Sequence, residues 1–192
     1  MKCRYAEKND AKEAAYLIHL AIHDIAESLT GESEQTKIRE VLAQLFSQED
    51  NRLSYQNCLV MEVDNNLAGI IIAYAGDDAE ALDKPILERL YRKSDESSIS
   101  LDKEADHGDY YLDTVSVKPE YQGKRIGTLL IQEAEKLASR KGYNRVSLNV
   151  AEDNPRAKQL YIKLGYNKVK VIEINGHEYD YMVKQSTPVK ES

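Results

Sequence analysis

The segment Tyr121-Gln122-Gly123-Lys124-Arg125-Ile126-Gly127-Thr128 has the make-up of an anion-binding turn. It follows a strand-like run, Tyr110 to Val117, and opens a helix-like run, Ile126 to Lys141. A strand that turns through glycine into a helix aims several backbone N–H groups at one point. The helix dipole adds partial positive charge there, which suits phosphate. On these residues alone a second reading stays open, in which glycine only relieves strain in an ordinary turn. Two other phosphate motifs are absent. There is no G-x-x-x-x-G-K-[ST] of a nucleotide P-loop and no G-x-G-x-x-G of a dinucleotide fold.

Other side chains also qualify for chemistry. Asp113 falls in mid-strand, where a carboxylate is unusual. It is either a base or an ammonium partner, directly or through water, or a structural aspartate paired with a basic neighbour. Asp109 and Tyr111 are weaker candidates. Asn154 precedes Pro155 and reads as a helix N-cap. His19 and His23 are spaced for one helix face but have no third ligand nearby in sequence, so no metal is expected.

These residues need elements to place them. Cys3 to Ala6 reads as a short strand, and Asp10 as the N-cap of a helix running to about Ser28. A second helix is expected over about Ser33 to Gln48. Two strands, Cys58 to Val63 and Leu67 to Ala75, are joined at Asp64-Asn65-Asn66. In the acidic stretch 76–108, a short helix is expected over Lys84 to Arg92, starting near Pro85, with an exposed loop from Ser94 to Asp106. After the helix of residues 125–141, Gly142 is a stop, and Arg145 to Val150 is a strand. A helix capped by Asn154 ends at Gly165. Lys168 to Ile174 and Glu178 to Val183 make a last hairpin around Asn175-Gly176. Residues 1–185 form one expected domain, and 186–192 a loose tail.

Composition narrows the class. The chain has 192 residues, 42% hydrophobic and 31% charged, enough for one domain with a proper core. Its net charge of −7 argues against a nucleic-acid binder and is compatible with a cationic acceptor. Cys3 and Cys58 give neither a disulfide framework nor a zinc spacing. No signal core or membrane-length apolar run is present, so a cytoplasmic protein without a membrane partner is expected.

Gln-x-x-Arg-x-Gly-Thr follows Val-Ser-Val-Lys-Pro-Glu-Tyr, and Asn154-Pro155-Arg156-Ala157 with Leu160-Tyr161 and Gly165-Tyr166 lies downstream. Together these resemble the GNAT superfamily of acetyl-CoA-dependent N-acetyltransferases, most strongly over Tyr110 to Tyr166. Arg125 departs from the pattern, standing where the family usually has its first signature glycine. The resemblance implies an α+β fold, a mostly antiparallel central sheet of about seven strands flanked by helices. It implies acetyl-CoA as cosubstrate and transfer to a primary amine of a small molecule or peptide, entering beside the first two helices and the last hairpin. Backbone groups of Gln122, Gly123, Arg125, Gly127 and Thr128 would grip the pyrophosphate, with Lys124 and Arg125 adding charge at the rim. The strand of Val115 and Val117 would pair with the pantetheine arm, and Asn154 would touch it. Tyr161 would protonate the leaving thiolate, and Asp113 is the candidate base. The rival function is a non-catalytic acyl-CoA-sensing or interaction module. The acceptor and any homodimer stay open.

Overall fold

The computed structural model describes residues 1–94 and 99–185; the expected tail at 186–192 lies outside them. The chain runs β1 (Lys2–Tyr5), α1 (Ala11–Ile22), α2 (Ile25–Thr30), α3 (Gln35–Ser47), β2 (Cys58–Val63) and β3 (Asn66–Ala75). Then come α4 (Ala79–Lys93), β4 (Asp109–Val117), α5 (Ile126–Arg140), β5 (Arg145–Ala151), α6 (Pro155–Lys163), β6 (Asn167–Ile174) and β7 (His177–Gln185). The strands form one seven-stranded sheet in the order β1-β2-β3-β4-β5-β7-β6. Every neighbouring pair is antiparallel except β4 and β5. This is the α+β architecture expected from the sequence.

Alternation along the strands feeds two cores, one on each face. Ile70, Ile72, Tyr74 and Tyr111 pack with α1, α2, α3 and α4. Ile71, Ala73, Leu112 and Val150 pack with α5, whose Ile126, Leu130, Ile131, Ala134 and Ala138 form the buried stripe. β3 is buried along nearly its whole length because helices cover both its faces.

Four local expectations need correction. The first long helix is two helices, broken at His23, whose φ is 45°. The bend buries Ala26 and Leu29 completely or nearly so. Asp10 does not cap α1; its carboxylate accepts from Arg4 at 2.8 and 2.9 Å and from the Glu7 N–H. α4 begins at Ala79, and Pro85 lies inside it. The described part of the expected exposed loop is not free of the core, since Ala105 is buried in it and Ile99 and Leu101 pack against the same cluster.

Candidate active site

The parallel pair at the centre of the sheet opens into a fork. β4 and β5 are in register only from Asp109↔Arg145 to Leu112↔Leu148. Beyond that, β4 continues against β3 as far as Val117, while β5 continues against β7 as far as Ala151. From Asp113 and Asn149 onward, the facing edges of the two strands have no partner in the sheet. The fork starts at a β-bulge: Ile72 pairs with Thr114 and Ala73 with Leu112, so Asp113 is the extra residue.

The start of α5 stands over the open part of β4. A Cβ placed on Gly127 would lie 3.7 Å from Val117 Cγ2 and 3.9 Å from Val115 Cγ1. Val115 and Val117 therefore share the α5 face of the sheet, as their spacing predicts. The N–H groups of Ile126, Gly127 and Thr128 have no helical carbonyl one turn back, and no side chain caps them. Gly123 and Arg125 are both left-handed, with φ of 78° and 61°. That conformation explains why glycine would suit position 125. Gln122 to Arg125 are exposed. Lys124 Nζ lies 5.1 Å from the centre of the Tyr121 ring. The Gln122 N–H is already donated to Pro119 O at 3.2 Å.

α6 borders the other arm of the fork. Asn154 caps it, accepting from the Ala157 N–H at 3.1 Å. Tyr161 packs edge-on against Tyr166, ring centres 6.1 Å apart. Among the described residues its hydroxyl has no hydrogen-bond partner. Burial pushes the phenol above its ordinary range, so it holds its proton.

The opposite face of the bulge carries a buried polar network. Asp113 Oδ2 accepts from Arg52 Nε at 2.9 Å, Arg52 Nη2 at 2.6 Å and Tyr74 OH at 2.7 Å. Its Oδ1 accepts from Thr114 at 2.8 Å. The same Arg52 Nη2 lies 2.9 Å from Glu104 Oε1. Glu104 Oε2 accepts from Tyr111 OH, which in turn accepts from Asn149 Nδ2. The chain of bonds thus joins β4 to β5 where they part. Burial raises the carboxyls of Glu104 and Asp83, against the pull of Arg52. Sequence reasoning missed Arg52, Tyr74 and Glu104. They come from separate segments, and only the tertiary fold brings them to Asp113.

Among the hollows on this side, two are rich in carboxylates. A cavity of about 270 Å³ is lined by Arg52, Tyr74, Asp83 and Glu104, with Asp77, Glu80 and Asp102 among its other walls. A more open cleft of about 480 Å³ lies between the α1–α2 bend and the last hairpin. Its charged lining is Asp24, Glu152, Asp153 and Glu178, with His23 and His177. Among the described residues no helix is long and apolar enough to cross a membrane.

The sheet is thus mostly antiparallel and forks at its one parallel pair, beside an uncapped helix start. The profile of the GNAT acetyltransferase family matches residues 19–166, and the chain belongs to that family. A solved acetyltransferase is 31% identical, with a TM-score of 0.79 over 97% of this chain and 100% of that one. An N-acetyltransferase from Staphylococcus aureus Mu50 is 24% identical, with a TM-score of 0.80 over 95% of this chain and all of the other. Thialysine N-epsilon-acetyltransferase of Bos taurus is 42% identical over 55 residues, 29% of this chain. That match spans about a third (32%) of the bovine protein's length.

Proposed function

We propose that this protein moves an acetyl group from acetyl-CoA directly to a primary amine of a small molecule or peptide. The observation that carries the reading is the fork lying directly beneath the uncapped start of α5. Pyrophosphate at that start would meet the amides of Ile126, Gly127 and Thr128, with Gly123, Lys124 and Arg125 around it and the Thr128 hydroxyl as a further donor. Extended pantetheine could then use the vacant β4 edge at Val115 and Val117 as a strand would, with Asn154 across the fork. The thioester would reach the level of the bulge at Asp113.

The amine must lose its proton before attack. Its nitrogen then bonds to the thioester carbon, the carbon–sulfur bond breaks, and the thiolate takes a proton. Tyr161 is the proposed donor, because its phenol is protonated and its hydroxyl is uncommitted. The four donors already on Asp113 favour its holding Arg52 and the bulge over direct proton removal. Carboxylates around both hollows on the acceptor side suit a cationic amine. The 55-residue likeness to a protein named for acetylating an amine, thialysine, is in keeping with that class.

The test is thiol release when acetyl-CoA meets a panel of mono-, di- and polyamines and amine-bearing peptides. Acetyl-CoA alone should raise the thermal midpoint by mass action. No shift at millimolar acetyl-CoA would count against the donor. Binding without turnover on the whole panel would favour the acyl-CoA-sensing module.

A further inference from the structure

α6 carries Tyr161 and is capped by Asn154, yet none of its side chains is fully buried. Ala157, Tyr161 and Leu164 only flank the core on that face. Packing alone therefore holds this nine-residue helix loosely. One contact reaches deeper. Lys158 stands one turn before Tyr161 on neighbouring helix surface, and its ammonium pairs with Asp180 on β7. Asp180 is 2% exposed. It lies opposite Val150 of β5, beyond the point where β5 leaves β4. It alternates with Met182 in β7, so both face the core beneath α5 and α6.

Asp180 has a second cation, Lys168 of β6, at 2.5 Å. The two lysines are not equivalent. Lys168 joins neighbouring strands that a ladder already holds together. Lys158 ties the helix of Tyr161 to the sheet. A buried carboxylate that loses a partner is left under-compensated, which makes the tie hard to break. Burial works to raise the Asp180 carboxyl, and the two ammonium groups outweigh it and hold it below its ordinary range.

We propose that Asp180 and Lys158 are positioning residues, which set α6 so that the Tyr161 hydroxyl meets the departing sulfur. The proposal rests on Tyr161 being the proton donor. Displacement of a reacting group by about 1 Å can cost on the order of 100-fold in rate, so the effect should fall on kcat.

The test compares Lys158→Met with Lys168→Met, using acetyl-CoA and an amine found by the panel. Lys158→Met should lower kcat on the order of 10- to 100-fold, leave the acetyl-CoA dissociation constant within about 2-fold, and leave circular dichroism unchanged. Lys168→Met should keep near-normal kcat. In a Tyr161→Phe background, Lys158→Met should bring little further loss, because the two changes act through one group. Lys158→Arg, which keeps the charge, should restore most of the rate. Equal losses from the two lysine variants, or undiminished kcat in Lys158→Met, would overturn the proposal. If Tyr161→Phe itself keeps full activity while acetyl-CoA still binds, the proton-donor reading is what has failed. A full additional loss from Lys158→Met in the Phe background would refute only the positioning role.

Discussion

At the residue scale, the sharpest contrast is between Tyr161 and Asp113. Sequence put both forward as catalytic candidates. In the structure the Tyr161 hydroxyl is uncommitted, whereas Asp113 already accepts four hydrogen bonds. Tyr161→Phe keeps the ring against Tyr166 and removes only the hydroxyl. Loss of general acid help should lower kcat by roughly 10²–10⁴-fold where chemistry limits the rate, with acetyl-CoA affinity nearly unchanged. Steady-state kinetics beside a binding titration will separate the two, and normal kcat under those conditions would remove Tyr161 from the mechanism. Arg125 poses a different question. A left-handed L-residue costs about 1–2 kcal/mol, and glycine does not incur that steric cost. Arg125→Gly should therefore raise the stability of the ligand-free protein by up to about 1 kcal/mol in urea unfolding, since glycine's unfolded-state entropy takes back part of the gain. It should also weaken acetyl-CoA, with the difference shrinking at high salt. Tighter binding in the glycine variant would mean that the guanidinium obstructs the phosphates.

At the element scale, local rules worked where one segment carries its own signal. The Asn175-Gly176 turn has φ of 51° and 76°, the left-handed pair that a two-residue hairpin turn requires. The strand–turn–helix from Asp109 to Arg140 was also legible, because hydrophobic period and glycine placement agree there. Local rules failed where tertiary packing decides. The apolar spacing of α1 runs on through Ile25, so nothing in the pattern marks the break at His23. Pro85 reads as a helix start, yet the chain is already helical from Ala79. The α5 start yields a prediction that needs the structure. A side chain at Gly127 would make ordinary contacts with Val115 and Val117, so Gly127→Glu should fold. Its carboxylate would even favour the ligand-free helix by about 0.3–1 kcal/mol through the dipole. With acetyl-CoA it would set like charge against the pyrophosphate, and calorimetry should detect no binding at concentrations that saturate the parent. Unchanged affinity in a folded variant would place the phosphates elsewhere.

At the scale of the whole molecule, the glycine turn was readable because its residues are contiguous, and the buried network around Arg52 was not because its members are scattered. Arg52 precedes β2, Asp83 sits in α4, Glu104 follows α4, and Asp113 sits in β4. Arg52 is 3% exposed and faces all three carboxylates, at 2.6 to 3.4 Å. One guanidinium thus pins three parts of the chain on the face opposite α5, at the level where β4 and β5 part. Arg52→Met should leave three partly or fully buried carboxylates without their cation. Removing one partner of a buried pair costs about 3–5 kcal/mol. The sign of the pH dependence follows from burial, which already raises Asp83 and Glu104 above their unfolded values with Arg52 opposing it. Without Arg52 the folded-state values rise further, so the folded form binds more protons than the unfolded chain. Stability in the variant should then fall as pH rises from the ordinary carboxylate range through those raised values. Urea unfolding at pH 5.5 and pH 8 should show the larger deficit relative to the parent at pH 8. An equal deficit at both would mean that the loss is one of packing against Tyr74 and the strands, and that charge balance is not what holds this face together.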